Sequence, residues 1–175
     1  MMHRLLLMII AILCSACARV PSQPQAKLTY HGIERRNNAI YTISYSSDID
    51  LLNVFSRADG EGQLATMLIC SLDGDPVFSA EHVIEKKFEG VIGISGKTPG
   101  PPFAFKTEGT LNVTHNGGTS SKLLSKSELQ YLLHQRQEVI CKAFITVFGY
   151  KAYYSKPMLV PSADIIREVN KDLSN

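Results

Sequence analysis

The sequence predicts an α+β domain, built as a mainly antiparallel β-sheet or small sandwich with two or three packed helices. Two observations carry this. Short apolar runs rich in β-branched and aromatic residues recur between turn clusters, and several alternate with period two. Two segments late in the chain instead space their apolar residues for one helix face, behind helix-start signals.

Taken in order, Ile40–Tyr45 alternates and reads as a strand. Ser47 and Asp50 precede Leu51, Leu52, Val54 and Phe55, a pattern for a short N-capped helix ending at Asp59-Gly60, with a strand as the alternative. Leu64–Leu72 is an apolar run closed by the turn cluster Asp73-Gly-Asp-Pro76. Residues 82–95 suit one long strand or two short ones broken at Gly90. Within Phe103–His115, Leu111-Asn-Val-Thr-His alternates, one face dry and one wet. Asn116–Lys122 is a polar loop. Ser125-Lys-Ser-Glu128 is a capping box that opens a helix with Leu129, Leu132 and Leu133 inward. Val139–Phe148 is apolar on both faces and reads as the central strand, covered on both sides. Tyr153–Val160 should pair with it, and Pro161-Ser162 should start a last helix with Ile165, Ile166, Val169 and Leu173 on one face.

The N-terminus carries a different kind of signal. Arg4 precedes an unbroken apolar run, Leu5–Leu13, and small residues follow, which is the layout of a secretory signal peptide. The run falls well short of the about 20 residues that span a bilayer. Ser15-Ala16-Cys17 behind it resembles the lipobox of bacterial lipoproteins, in which signal peptidase II cuts before a cysteine that carries diacylglycerol. The match departs at Cys14, where the pattern usually has Leu. The resemblance implies a signal peptide over 1–16, a lipidated Cys17 with a flexible tether over 17–28, and a single globular domain over 29–175. It also implies palmitate on the anchor and, because Ala18 and not Asp follows the cysteine, an outer-membrane address facing the periplasm. Cleavage after Ala18 at Ala16-Cys17-Ala18 is the rival reading, and a hydrophobic helix of the fold is a third.

In an oxidising compartment the two remaining cysteines, Cys70 and Cys141, are expected to form a disulfide, with buried free thiols as the alternative. Charge is nearly balanced: 18 Lys and Arg stand against 16 Asp and Glu, and loss of Arg4 leaves a net of +1. Arg35-Arg36 and Lys86-Lys87 are isolated pairs, so no basic stripe points to nucleic acid.

Motifs for chemistry are sparse. Gly96-Lys97-Thr98 fails as a phosphate loop, since Val91 stands where the first glycine belongs and Pro99, Pro101 and Pro102 forbid the helix that must follow. No histidine has metal-ligand spacing, and no cofactor is indicated. The expected role is therefore non-catalytic. Lipoproteins of this size and layout include assembly factors, secretion-system pilots, exclusion factors and immunity proteins, and the resemblance implies an envelope protein as partner. Tyr150, Tyr153 and Tyr154 form the candidate partner-binding cluster. The alternative is a small envelope hydrolase or ligand-binding protein using His82, Glu85 and His115.

Overall fold

The computed structural model describes residues 20–21, 23–55, 62–96 and 100–172. Cys17 and Leu173 lie outside the described residues. The strands are β1 (Leu28–Arg35), β2 (Ile40–Ser47), β3 (Ala65–Ser71), β4 (Lys86–Ile94), β5 (Phe103–His115), β6 (Ser120–Leu123), β7 (Glu138–Thr146), β8 (Tyr153–Tyr154) and β9 (Met158–Pro161). Two helices, α1 (Lys126–His134) and α2 (Ser162–Asn170), complete it. The domain is thus α+β and mostly β. The strands form one curled sheet rather than a sandwich, ordered β1-β2-β5-β4-β3-β7-β8, with β6 on β5 and β9 on β7, every pair antiparallel.

The backbones of β4 and β5 approach closely at one point. Gly90 and Gly109 face each other in the ladder. A Cβ on either would sit 2.2 Å from a carbonyl oxygen of the opposite strand, so only glycine allows this close approach. Residues 86–94 accordingly form one unbroken strand. The curl brings the start of the chain round to the far end of the sheet. Lys156 N–H donates to Ala26 O at 2.9 Å. The Tyr153 hydroxyl accepts from Ala26 N–H at 2.6 Å and donates to Pro24 O at 2.8 Å. Ala26 is fully buried, so the segment expected as tether through residue 28 is docked onto the domain from Pro24 onward.

Helix α2 lies along β1. Tyr30 donates to Asp164 at 2.9 Å, and Arg35 N–H donates to Glu168 at 3.0 Å. Glu168 is 2% exposed, with Lys171 Nζ 2.7 Å away. Its burial pushes the pKa up, but the Lys171 ion pair, the Arg35 amide and Arg167 outweigh that and hold it below the ordinary 4.5. Helix α1 has the capping box complete, with Ser125 and Glu128 exchanging bonds, and buries Leu129, Leu132 and Leu133. Gln130 bonds Asn170 across the two helices at 2.8 Å.

Cys70 and Cys141 form a disulfide between β3 and β7. They oppose each other directly in the ladder, with Cα atoms 3.9 Å apart, closer than the about 4.4–6.8 Å usual for bridged pairs and well within the about 7 Å beyond which a bridge cannot form.

Three expectations need correction. Where the segment is described, over residues 51–55, the helix predicted after Ser47 is a turn, and its expected end at Asp59-Gly60 lies outside the described residues. Asp50 Oδ1 takes the Leu52 amide, and the Gln63 side chain takes the Phe55 amide and gives to Leu51 O, so side chains occupy groups a helix ladder would need. The polar loop is shorter than expected: Ser120–Leu123 is β6, reached through a tight turn in which Gly117 and Gly118 take positive φ. Finally, β7 is not central or covered on both sides. Val139, Cys141, Ala143 and Ile145 are buried, but Ile140, Lys142 and Phe144 are half-buried on the outer face and Phe148 beyond it is 73% exposed.

Candidate functional site

Side chains on the outer face fall into rows set by register. Val91 opposes Met67, Met67 opposes Phe144, and Phe144 opposes Tyr154. Directly opposed residues share a face, so these four make an apolar row across β4, β3, β7 and β8. Val91 at one end is 69% exposed, and at the other the Phe144 and Tyr154 rings lie 5.2 Å apart.

Between β3 and β4 the chain makes an excursion over this same face. Asp73 and Asp75 shape its entry: Asp73 Oδ1 accepts from Ser71 Oγ, and Asp75 Oδ1 accepts from Val77 N–H at 2.9 Å. His82 Nε2 pairs with Asp75 Oδ2 at 2.5 Å and ties the two ends of the excursion together. That bond, then the Val77 amide, holds the Asp75 carboxyl below its usual range. The Phe78 ring lies 5.0 Å from the Lys142 ammonium, which pins the middle of the excursion over β7.

A groove of about 250 Å³ runs beside it, with Ile69, Lys87 and Glu89 on the sheet side, Phe144 and Tyr154 at one end and Thr114 at the other. Lys87 and Glu89 satisfy each other at 2.7 Å. Burial, with Glu81 nearby, pushes the Tyr154 phenol up to about 12, so it stays a protonated donor. The Thr114 hydroxyl is buried without a hydrogen-bond partner among the described residues.

The predicted aromatic cluster is split. Tyr153 points inward, 3% exposed, with its hydroxyl spent on Pro24 and Ala26, so it presents nothing to a partner. Tyr154 faces outward into the groove, as strand alternation requires. Tyr150 stacks edge-on against Phe55, ring centres 5.3 Å apart, at the turn after β7.

The His82, Glu85 and His115 group does not assemble. His82 belongs to the outer-face groove and His115 to a separate crevice beneath α1, while Glu85 is exposed and lines neither. Among the described residues no group of three or more His, Cys, Asp or Glu could hold a metal ion. Nor is any described helix long and apolar enough to cross a membrane. Sequence reasoning missed Ile69, Phe78 and Thr114, because nothing local in a turn-rich stretch signals that it folds back across a sheet. No protein-family model, curated protein or solved structure matches the chain.

Proposed function

We propose that this chain is a lipid-anchored protein of the bacterial cell envelope, held by Cys17 at the outer membrane facing the periplasm. There it works as a non-catalytic protein-interaction module. The observation that carries the address is the buried Cys70–Cys141 disulfide, since such bonds form and persist in oxidising compartments. The apolar run Leu5–Leu13 and Ser15-Ala16-Cys17 supply the route out and the anchor.

Docking of Pro24–Ala26 against Tyr153 adds a geometric consequence. The chain between Cys17 and Pro24 reaches at most about 25 Å, so an anchored domain keeps its β8 end near the lipid surface. The partner-binding surface is the apolar row ending at Tyr154, with Phe148 and Tyr150 at the neighbouring turn. An apolar row with a half-buried aromatic at one end suits a partner's anchor residues.

Metabolic labelling with palmitate tests the address. The wild type should carry label in the outer-membrane fraction, and Cys17→Ser should carry none. An unlabelled mature protein beginning at Arg19 overturns the anchor.

A further inference from the structure

We propose that the crevice beneath α1 is a binding site for an organic anion with one apolar body, such as an arylalkyl or alkyl carboxylate. The crevice has a volume of about 270 Å³ and lies on the inner side of the sheet, at the end where β4, β5 and β6 meet α1. Its base is apolar, made by Val113, Leu124 and Leu132, all nearly buried, with the exposed Tyr131 ring at its mouth.

The register places its charges. Val113 is opposed on one side by Lys86 of β4 and on the other by Lys122 of β6. All three therefore share a face, with the two lysine backbones about 10 Å apart, two strand spacings. Lysine stems are long enough for both ammonium groups to converge on one head group placed above Val113. His115, two residues on, lines the same crevice.

The acid on the opposite wall is Glu128, and it is already engaged. Its Oε2 accepts from Ser125 N–H at 2.8 Å and Ser125 Oγ at 2.6 Å, and its Oε1 is 3.6 Å from Lys122. Lys86 makes no ion pair among the described residues, unlike its neighbour Lys87, which turns to the outer face and pairs with Glu89. One cation thus stays uncompensated over an apolar floor. A carboxylate would complete it, and the attached apolar body would displace water from Val113, Leu124 and Leu132. A cation would meet Lys86 and Lys122, and a neutral apolar molecule would leave Lys86 unpaired.

The test uses the protein with its native N-terminus, in phosphatidylcholine nanodiscs where it carries lipid and in buffer where it does not, with protein-free discs or buffer as the blank. Saturation-transfer NMR follows 4-phenylbutyrate and its uncharged counterpart 4-phenylbutanol. Phenylbutyrate should bind saturably and at least tenfold more tightly than the alcohol. The Lys86→Gln/Lys122→Gln variant should lose that preference, Lys86→Arg should retain it, and Lys142→Gln on the outer face should leave it unchanged. Equal binding of acid and alcohol overturns the proposal. So does an unchanged preference in the double variant, an equal loss in Lys142→Gln, or no saturation above the blank. None of these outcomes depends on the anchor at Cys17, which palmitate labelling tests separately.

Discussion

Along β7 both faces carry large apolar residues, and these meet different fates. Inward, Val139, Cys141, Ala143 and Ile145 are sealed between the curled sheet and the helices; outward, Ile140 and Phe144 are only half covered by the excursion between β3 and β4. Large apolar residues stand on both faces, although Lys142 interrupts the outer set. The topology decides which face is sealed: the buried residues of both helices join the inner set in one core, so that side becomes the interior. The outer row is left for the excursion and for whatever else can lie on it. A strand with large apolar residues on both faces therefore need not be central, because one face can hold the fold while the other remains a surface.

The sharpest way to break this comparison is to place one charge on each face. Ile145 is fully buried on the inner face. Ile145→Asp would strand a carboxylate in the core, at a cost of several kcal/mol, comparable to the whole stability of a domain this size. It should abolish the cooperative thermal transition. Phe144→Asp, one residue away on the half-covered face, should fold with a lowered melting temperature. Equal collapse of both variants would mean the outer face is core as well.

A smaller effect separates the seam from both faces. Glu168 joins α2 to β1, and its folded pKa lies below the ordinary 4.5 because Lys171, the Arg35 amide and Arg167 together outweigh the effect of burial. A depressed carboxylate pKa contributes stability that is present above 4.5 and lost as pH falls through the lower folded value. Glu168→Gln keeps an acceptor for Arg35 but loses the charge, so it should cost about 2 kcal/mol at pH 7. The gap between variant and wild type in chemical denaturation should narrow as pH is lowered below 4.5. A gap that stays constant down to pH 3 would show that the charge contributes nothing.

What could be read from the sequence follows the same divide. Period-two alternation marks β2 and the end of β5, the capping box marks α1, and the pairing of the two cysteines that lie beyond the N-terminal segment points to their bridge. All three are local or compositional signals. The rows on the outer face depend on register between strands far apart in sequence, as when Met67 meets both Val91 and Phe144. The same holds for Lys86 and Lys122, unremarkable until β5 places Val113 between them. The Leu51–Phe55 turn failed as a helix because its competitor, Gln63, lies beyond the segment.

The gentlest perturbation bears most directly on the outer face as a docking surface. Tyr153 and Tyr154 are adjacent and point to opposite sides, so they can be changed one at a time. Tyr153→Phe removes the hydroxyl that holds Pro24 and Ala26 but leaves the outer face untouched. It should lower stability by about 1–2 kcal/mol, two neutral hydrogen bonds' worth, without altering partner capture. Tyr154→Ala leaves the core intact and removes a ring that touches Phe144, a loss of about 1 kcal/mol, or about 2–4 °C in melting temperature. Its effect on binding should be larger than its effect on stability, because a half-buried aromatic at the end of an apolar row is where a partner's contacts would concentrate. Crosslinking and pull-down from envelope extract should therefore recover a specific partner with wild type and with Tyr153→Phe, and at least tenfold less with Tyr154→Ala. Should Tyr154→Ala capture that partner as well as wild type does, the row across β4, β3, β7 and β8 is not the docking surface, and only the division between covered and uncovered faces stands.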